Sequence, residues 1–589
     1  MSTFQSLTSG EHFVPATFVA GLFVFIILYR FILPKPLAGI PYNREATRTP
    51  FGDLFSLLPE LTATGDFTTW IRRQLITHET PIFQVFFLFP FWKPAVVVSD
   101  AREVEDILLR RTPKDFDRSH VMRSLLYGVA PEHHVMLTTH DEWKAHRRLL
   151  HDLMSPAFLR GIPTESAYQT FSDLVQLWEI KTAMADGLPF SAKEDVHHAA
   201  LDVIMKFLFG ETALQPAIDA KLSHLKGMSG ILTDKKSPSG DEEAVSVTPH
   251  PARFPETQID HRIVTTMELC DVLEEFWKTP FRRLKWWWLK ATRLRKPMAE
   301  KKRFLLEQLG LSMLRMQGRS AEDSSWVRTA VDYMVSKERK FASKERREPD
   351  YTSQVMLDEI FGFIVAGHDT TSTTLMWSIK LLAEYPQAQA KLRESLQNAF
   401  PQARLESRLP TNAEIQESTN IPYLDAVIEE LLRCSPTLPI NLRDTVRDTV
   451  ILGHHIPKGT MVFLHQAAHG IVMPPFPIDE SRRSEASRNS KGQGKSKEWS
   501  VDDISMFKPE RWLKDGKFDA QAGPNLAFST GIRGCYGRKL AYLEMRTCLI
   551  LVISRFILEP CPEDLASFDA ADGITHKPKK CYVRLRRAY

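Results

Sequence analysis

One cysteine, Cys535, lies on a glycine-rich loop among arginines, in the segment AFSTGIRGCYGRKLAYLE. A thiolate is the form of cysteine that binds metals, and nearby positive charge lowers the pKa of a thiol. Arg533, Arg538 and the N-terminus of a helix predicted to begin near Tyr536 supply such charge. Gly531 and its neighbouring glycines allow a turn that brings N–H groups toward the sulfur. A lone loop cysteine is more often inert, and these residue types leave open which metal a thiolate here would bind.

A polar run interrupts an apolar helical pattern in LDEIFGFIVAGHDTTSTTLMWSI, residues 357–379. Apolar side chains recur at helical spacing up to Val365, and then Asp369 and Thr370 follow Gly367. Taken alone, the run is compatible with an ordinary helix whose threonines bond back to i−4 carbonyls.

The segment EELLR places Glu430 and Arg433 three residues apart on a predicted helix, so that they share a face. An isolated pair at this spacing is usually a solvated surface feature. Further context is needed before these residues are assigned a buried role.

Helices must position most of these residues. Helical periodicity covers 141–160, 166–185, 353–385 and 422–434, whereas strand-like runs cover 82–98, 446–464 and the C-terminal KKCYVRLRR. The pattern predicts a mainly α domain with small β-sheets.

Composition excludes several classes of protein. The 589 residues carry 76 basic and 72 acidic side chains, and this balance indicates no nucleic acid partner. The six cysteines are widely spaced, so they suggest neither a disulfide framework nor a C-x-x-C metal site. A reducing compartment fits best.

The N-terminal region is different in kind. Phe13 to Tyr29 carries no charge, and basic residues follow it. Residues 1–33 are therefore predicted to be a membrane anchor that crosses a core of about 30 Å and leaves the rest of the chain in the cytosol. A cleaved signal peptide is the alternative, but the segment lacks a basic start. Residues 34–50 are predicted to be a proline-rich hinge, and 51–589 are predicted to form the main domain.

Two segments of that domain are predicted to be exposed insertions, near 233–260 and 480–498. The second, ESRRSEASRNSKGQGKSKE, contains no aliphatic residue larger than alanine and no aromatic residue. Such a stretch buries too little apolar surface to offset the entropy of ordering, so disorder is expected.

The segment FSTGIRGCYG matches F-x-x-G-x-R-x-C-x-G at every fixed position and resembles the haem-binding loop of the cytochrome P-450 family. AGHDTT, EELLR, FKPERW and WKAHR occur in the family's order. The resemblance runs from about residue 40 to the C-terminus, outside the two insertions. It implies a cytochrome P-450 fold, preceded here by one N-terminal transmembrane helix.

The resemblance also implies roles for residues. Cys535 would be the axial ligand of haem b, in a loop with Phe528 and Gly531. Asp369 would relay protons and Thr370 would donate to bound dioxygen, in room made by the small residues before them. Four residues would surround the haem carboxylates: Trp143, Arg147, Arg443 and Arg533. Glu430, Arg433 and Arg511 would form a buried structural network.

The activity implied is a monooxygenase that inserts one oxygen atom from O2 into an apolar small molecule. Electrons would come from NADPH through a separate reductase, which meets Arg533, Arg538 and Lys539. An endoplasmic reticulum location and fungal secondary-metabolite biosynthesis are expected. Alternatives are a fatty-acid or xenobiotic hydroxylase, a reductase-independent haem enzyme that rearranges peroxides, a non-catalytic haem sensor and a zinc or redox-cysteine protein.

Substrate-contacting positions are expected around 119–138, at Phe361 and Val365, and from Thr437 to Ile440. The stretch 281–303 carries ten basic residues, one acidic residue and three consecutive tryptophans. It is predicted to be either a solvated helix or a second contact with an anionic membrane face.

Overall fold

Helices make up most of the chain in the computed structural model, which describes residues 13–87, 93–232, 250–277, 279, 282–320, 322–493 and 497–588. The α-helices are α1 Phe13–Ile32, α2 Leu54–Thr64, α3 Phe67–Thr77, α4 Ala101–Leu109, α5 Asp141–Leu150, α6 Pro156–Leu159, α7 Ile162–Ala185, α8 Lys193–Phe209, α9 Ala217–Leu232, α10 His261–Trp277, α11 Arg282–Thr292, α12 Arg295–Met316, α13 Ala330–Glu345, α14 Gln354–Glu384, α15 Pro386–Ala399, α16 Pro401–Leu405, α17 Asn412–Glu417, α18 Pro422–Cys434, α19 Glu485–Asn489, α20 Arg538–Arg555 and α21 Glu563–Ala566.

The strands are short and belong to small sheets. They are β1 Ile82–Val85, β2 Ala95–Val98, β3 Phe116–Arg118, β4 Phe190–Ser191, β5 Ile440–Thr445, β6 Thr449–Ile451, β7 His454–Ile456, β8 Met461–His465, β9 Leu513–Lys514, β10 Lys517–Phe518, β11 Phe556–Glu559, β12 Ala570–Asp572, β13 His576–Pro578 and β14 Tyr582–Arg587. The mainly helical prediction with small sheets is confirmed.

The largest sheet has the strand order β1-β2-β8-β5-β3. Strands β2 and β8 are parallel, whereas β3 pairs antiparallel with β5 and places Arg118 opposite Arg443. The β1–β2 hairpin shows why 82–98 has a strand-like composition, since all eight of its strand residues are buried. The sheet thereby aligns two arginines that are far apart in sequence.

Helix α14 is the longest, with 31 residues, and the Ser353 hydroxyl caps it by accepting from the Met356 N–H. It is buried on nearly all sides, which a helix in the middle of a domain requires. Three positions near its centre are less buried: Ala366, Gly367 and Thr370. The predicted break in the apolar face therefore coincides with a local opening along the helix.

The predicted anchor lies partly outside the described residues, since the structure describes the chain from residue 13. Helix α1 begins there and exposes large apolar side chains, such as Phe18, Phe23 and Phe31. Within the described ranges, no helix satisfies both the length and the hydropathy needed to cross a membrane.

The expectation of disorder at 480–498 is wrong for its first half. Residues 485–489 form α19, which packs against α4. Arg483 is 7% exposed and pairs with Asp100 at 2.6 Å, and Glu480 pairs with Arg102 at 2.7 Å. Ion pairs with buried charges on another element replace the apolar contacts that the segment lacks, and composition alone cannot reveal such partners. Of the other insertion, residues 233–249 lie outside the described residues.

Helix α11 carries the three consecutive tryptophans and divides them between two environments. Trp286 is buried, whereas Trp287 is 69% and Trp288 57% exposed. The indole of Trp286 covers Gly128, where an added Cβ would lie 2.3 Å from the ring and φ is +83°. Arg282 also donates to the Ser124 hydroxyl at 2.6 Å. The helix is thus attached to the predicted substrate loop 119–138.

Candidate active site

The cysteine loop is held against α4 by a close approach of two backbones. Gly531 has φ +73°, and a Cβ on it would lie 2.4 Å from the carbonyl oxygen of Leu108. Only glycine fits both the backbone conformation and the space. After this turn, the Cys535 N–H donates to the Phe528 carbonyl at 2.9 Å. The ring of Phe528 packs against Tyr542 of α20.

Cys535 is accessible to solvent, yet the protein packed around its sulfur raises the pKa of the thiol by desolvation. The N–H groups of Gly537 and Arg538 and the charges of Arg147 and Arg538 act in the opposite direction. The largest charge effects come from Arg147 and Arg538, whereas Arg533 was expected from sequence to act beside Arg538. The loop does aim backbone N–H groups at the sulfur, and these groups favour a thiolate ligand.

Four arginines converge near this loop. Arg118 and Arg443 are neighbours across β3 and β5, while Arg147 comes from α5 and Arg533 from the cysteine loop. Burial, together with the charges of the other three and against the charge of Asp117, lowers the pKa of Arg533 to about 8. Burial and the charge of Arg118 lower the pKa of Arg443 to about 9. Mutual repulsion of buried cations is costly unless an anion joins them.

Several donor groups of this arginine cluster have no hydrogen-bond partner in the part of the chain that the structure describes. They are Nε of Arg118, Nε and Nη2 of Arg443, and Nη1 of Arg533. Buried polar groups almost always have hydrogen-bond partners, so a set of unpartnered cationic donors indicates an anionic ligand. The two carboxylates of haem supply the charge and the acceptors that the cluster lacks. The residues present therefore fit haem.

Trp143 lies between two of these cations. The guanidinium of Arg533 is 4.7 Å from the centre of its ring, and that of Arg147 is 5.7 Å away. Arg147 also lies 4.2 Å from the ring centre of Tyr536, the residue after the cysteine. Stacking on aromatic faces orients an arginine without neutralising it. The predicted carboxylate-binding residues are thus brought together, and Trp143 of the WKAHR helix orients Arg147 and Arg533.

The centre of α14 departs from the expectation in one respect. The Thr370 hydroxyl donates to the Ala366 carbonyl at 2.7 Å, the ordinary i−4 bond of a helical threonine. Gly367 does not serve only to make room for oxygen, because a Cβ there would lie 2.7 Å from Ile204 of α8. The glycine is required by helix packing, while Ala366 and Thr370 are the residues at the local opening.

Asp369 faces away from that opening. Its Oδ1 atom lies 2.7 Å from Lys577 Nζ, and its Oδ2 atom accepts from the Thr575 hydroxyl at 2.9 Å. Burial raises the pKa of Asp369, but the charges of Lys577 and His368 dominate and hold it below its ordinary value. Lys577 and Thr575 come from the β12–β13 region and were not predicted from sequence. No motif marks them, since they are distant in the chain.

Glu430 is the centre of a buried network. Its carboxylate accepts from Arg433 at 2.7 and 2.8 Å and from Arg511 at 3.0 Å. The indole N–H of Trp512 and the Lys508 N–H bond to the same carboxylate. Arg433 also donates to three backbone carbonyls, those of Ile471, Ile504 and Met506. Because Glu430 and Arg433 are fully enclosed, the solvated-pair alternative is excluded.

Another buried carboxylate, that of Glu359, was missed from sequence. It accepts from His134 and His146 at 2.7 and 2.8 Å, and His133 lies 3.4 Å away. A Cβ on Gly362 would collide with the His133 ring, so α14 is built to receive it. These contacts attach the loop 119–138 and α5 to α14. The sequence signal that could have revealed this cluster was the pair of adjacent histidines, His133 and His134, together with a glutamate on a predicted helix.

Two of the other predicted substrate positions, Phe361 and Val365, belong to α14, and Thr437 lies against this helix. Phe361 is buried beneath Lys301, whose Nζ lies 4.6 Å from the ring centre. Val365 lines a cavity together with Asp369. The Thr437 and Thr374 hydroxyls are 2.7 Å apart, so the chain before β5 is held against α14.

Arg533 also differs from expectation in its exposure. It is 7% exposed and donates to the Leu137 carbonyl at 3.0 Å, so it does not present a charge to a docking protein. Arg538 and Lys539 are exposed. Ile532 and Leu109 add exposed apolar surface beside the loop.

Comparison with known proteins agrees with this geometry. The sequence profile described as Cytochrome P450 matches residues 74–470 and 495–585, and it omits most of the α19 insertion. The chain is 37% identical over 588 residues to the cytochrome P450 monooxygenase TRI13 of Fusarium sporotrichioides, covering 95% of this chain and 97% of that protein. It is 37% identical to the cytochrome P450 monooxygenase xilC of Penicillium rubens, over 95% of this chain and 94% of that one.

Solved structures resemble the chain in fold. A crystal structure of a cytochrome P450 (CYP102L1) gives a TM-score of 0.64 at 18% identity and covers 94% of this chain and 99% of that chain. The cytochrome P450DA heme domain gives 0.62 at 17% identity, with coverage of 95% and 99%. With a family match over most of its length and relatives aligned nearly end to end, the chain belongs to the cytochrome P450 family of haem-thiolate proteins and is a monooxygenase.

Proposed function

We propose that Cys535 is the protein ligand of the haem iron and that Trp143, Arg147, Arg443, Arg533 and Arg118 hold the haem carboxylates. The observation that carries the proposal is the set of unpartnered guanidinium donors beside the cysteine loop. When bound, haem supplies the chemistry that transfers one oxygen atom from O2 into an apolar C–H or C=C bond. The protein would position the haem, provide positive charge for its carboxylates and deliver protons.

The test is the reduced-CO spectrum of single variants. Cys535→Ala should lose the red-shifted Soret band of a thiolate-ligated haem. Cys548→Ala is the matched control, because Cys548 is buried in the following helix α20, so its band should persist. A normal band in Cys535→Ala would overturn the assignment.

Asp369 and Thr370 are proposed to handle protons during turnover. Thr370 has its hydroxyl at the opening of α14, where rotation away from the Ala366 carbonyl would present the proton to a bound reactant. Asp369 lies one residue away, with a carboxylate that reaches a cavity on the opposite side of the helix. The two residues together would connect that cavity with the reacting centre.

Thr370→Ala should still consume NADPH and O2 but release more hydrogen peroxide per product, because proton delivery is disturbed. Thr374→Ala is a control on the same helix; its hydroxyl bonds to the Thr437 hydroxyl. Unchanged coupling in Thr370→Ala would contradict the role, and loss of haem would make the residue structural.

Electrons are proposed to come from NADPH through a separate reductase that docks at the cysteine face. The exposed cations Arg538 and Lys539 suit an acidic partner, and the exposed Ile532 and Leu109 supply apolar contact. Lys539→Glu should slow reduction by the reductase and weaken its salt dependence, while dithionite reduction stays normal. Equal reductase-driven rates in variant and wild type would remove Lys539 from the docking surface.

A membrane is proposed to hold the enzyme at two places, with the catalytic domain in the cytosol at the endoplasmic reticulum. The exposed apolar side chains of α1 form one, and α11, with exposed Leu284, Trp287 and Trp288 among basic residues, forms the other. Deleting residues 1–33 should weaken microsomal association but retain haem. Trp287→Ser with Trp288→Ser should weaken it further. Full association of the combined variant would refute both contacts.

The substrate is proposed to be an apolar intermediate of fungal secondary metabolism. The support is that relatives are fungal monooxygenases, one of which is named for the Hps1-dma1 cluster. Deleting the gene should accumulate one precursor, and feeding it to microsomes with enzyme and reductase should give the oxygenated product. An unchanged metabolite profile would refute the pathway class but leave the haem assignment intact.

A further inference from the structure

A cavity of about 240 Å³ lies behind α14, on the side that Asp369 faces. Its walls come from α8, α10, α14 and the β12–β13 region, and its rim includes the exposed residues Lys193, Glu194 and Asp271. Four carboxylates and two lysines line it, so its lining is net negative: Glu194, Asp271, Glu274 and Asp369 against Lys193 and Lys577. A cation is therefore the favoured occupant.

Two histidines in this cavity have fixed tautomers. His368 Nδ1 lies 3.1 Å from the Ile364 carbonyl, which only accepts, so Nδ1 carries the proton. Ser372 donates its hydroxyl proton to the Asp369 carbonyl, and its oxygen therefore accepts from His197 Nδ1 at 3.1 Å. Both imidazoles are left with a lone pair on Nε2. Metal-binding histidines are arranged in this way, with the second nitrogen donating to a neighbouring group.

The ligand atoms are close to one another. One atom each of His197, His368 and Asp369 lies within 4.8 Å of the others. Burial lowers the pKa of His197 to about 3 and also lowers that of His368, which favours the neutral form of imidazole that binds metals. Two imidazoles and a carboxylate form a ligand set typical of zinc, and the cavity leaves room for a water as the fourth ligand.

We propose that His197, His368 and Asp369 bind a divalent transition-metal ion of the zinc class. Lys577 is the competing cation, because its ammonium holds Asp369 at 2.7 Å in the structure. It also contacts Glu274, so it keeps a partner when the metal takes the aspartate. The binding site itself is independent of the proposed role of Asp369. The effect of the metal on turnover does rest on that role, because a metal bound to the Asp369 carboxylate prevents it from carrying a proton.

The experiment measures zinc binding to the purified holoenzyme by equilibrium dialysis, separately from activity. His197→Asn is the key variant, because the asparagine amide reproduces the Nδ1 donor to Ser372 but removes the Nε2 ligand. His224→Asn is the matched control: His224 Nδ1 bonds to the Thr257 hydroxyl at 2.8 Å, outside this cavity. A reduced-CO spectrum of each variant verifies the haem.

We expect one zinc ion per wild-type chain and per His224→Asn chain, and affinity reduced by about tenfold or more in His197→Asn. Lys577→Met should bind zinc more tightly than wild type, because the competing ammonium is gone. This second variant tests the site even if His197→Asn does not fold. Equal zinc affinity of His197→Asn and wild type, equal or weaker binding by Lys577→Met, or no stoichiometric binding to wild type would each overturn the proposal.

Zinc should also raise the hydrogen peroxide released per NADPH in wild type but not in His197→Asn, at concentrations that saturate the wild-type site. This arm tests the coupling to Asp369. If zinc binds stoichiometrically through His197 and coupling is unchanged, the metal site stands and the inhibitory consequence is refuted.

Discussion

Lys577 Nζ lies 2.7 Å from Asp369 Oδ1, so a cation from β13 holds the acid of the motif AGHDTT. The charge of Lys577 is the largest influence that lowers the pKa of this carboxyl against burial. In Lys577→Met, the pKa of Asp369 should rise, because burial then acts with less opposition. A proton donor with a higher pKa remains protonated to a higher pH.

The pH dependence of coupling should therefore shift upward in Lys577→Met. Hydrogen peroxide per NADPH, measured from about pH 6 to about pH 9, reports this shift. Lys577→Arg retains the positive charge and should keep the wild-type profile. Superimposable profiles for the methionine variant and wild type would show that Lys577 does not set the proton affinity of Asp369.

Removing Arg118 should have opposite effects on the apoprotein and the holoprotein. Without an anion, the cluster with Arg443 and Arg533 repels itself, so Arg118→Leu should stabilise the haem-free chain. With haem bound, the variant loses a charged hydrogen bond, worth about 1.5–3 kcal/mol. Thermal unfolding of both forms and the rate of haem transfer to apomyoglobin provide the measurements. Arg123→Leu, an exposed change nearby, should alter neither. Destabilisation of both forms by Arg118→Leu would contradict the carboxylate role.

Deleting 480–498 should destabilise the enzyme, although its composition suggests a dispensable loop. The deletion removes Arg483, the partner of Asp100, which is only 5% exposed. Breaking such a buried pair costs about 3–5 kcal/mol. Asp100→Asn in the deletion background should recover part of the loss, because asparagine can still cap α4 but carries no charge.

Thermal unfolding of the ferric holoenzyme measures this effect. Arg488→Ala is the control, since Arg488 is exposed on the same segment. A deletion variant as stable as wild type would mean that the charges of α4 find water once the segment is gone.

His198 should make the enzyme less stable in acid. Burial lowers the pKa of His198 from 6.5 to about 3, and its Nδ1 atom has no hydrogen-bond partner among the described residues. Below pH 6.5 the unfolded chain binds a proton at this residue that the folded chain does not bind until about pH 3. Stability is therefore full above pH 6.5 and falls as the pH decreases, by up to about 1.4 kcal/mol per pH unit.

His198→Gln should reduce the difference in melting temperature between neutral and mildly acidic buffer. His455→Gln, at a histidine that is 65% exposed, should leave that difference unchanged. An identical acid sensitivity in His198→Gln and wild type would show that the folded protein accommodates the proton.

Local sequence was sufficient where the chemistry is local. The cysteine loop is ten consecutive residues, and Glu430 and Arg433 share a helix turn, so short local motifs were enough to carry the family resemblance that assigned their roles. Arg118 was not predicted, because it joins Arg443 only through the register of β3 and β5. The ordered structure of the segment around α19 was not predicted for the same reason, since its partners Asp100 and Arg102 lie far upstream.

The direction in which a side chain points also could not be predicted from the sequence. Arg533 stands beside Cys535 in the chain and was expected both to lower the thiol pKa and to face a reductase. The turn at Gly531 instead sends it inward to the Leu137 carbonyl. Backbone conformation decided the outcome, and the motif does not encode which way each of its arginines leaves the loop.

The contact of Trp286 with Gly128 has a mechanical consequence. Trp287 and Trp288 are on the same short helix, so in the proposed membrane contact a force on these two rings would be transmitted through the buried indole to the loop 119–138. Arg282 transmits the same load through Ser124. Under that proposal, bilayer thickness, lateral pressure and the choice of detergent would act on the shape of this loop, which is predicted to contact substrate. An enzyme assayed in micelles and the same enzyme in a native membrane would then differ in the tension on the loop.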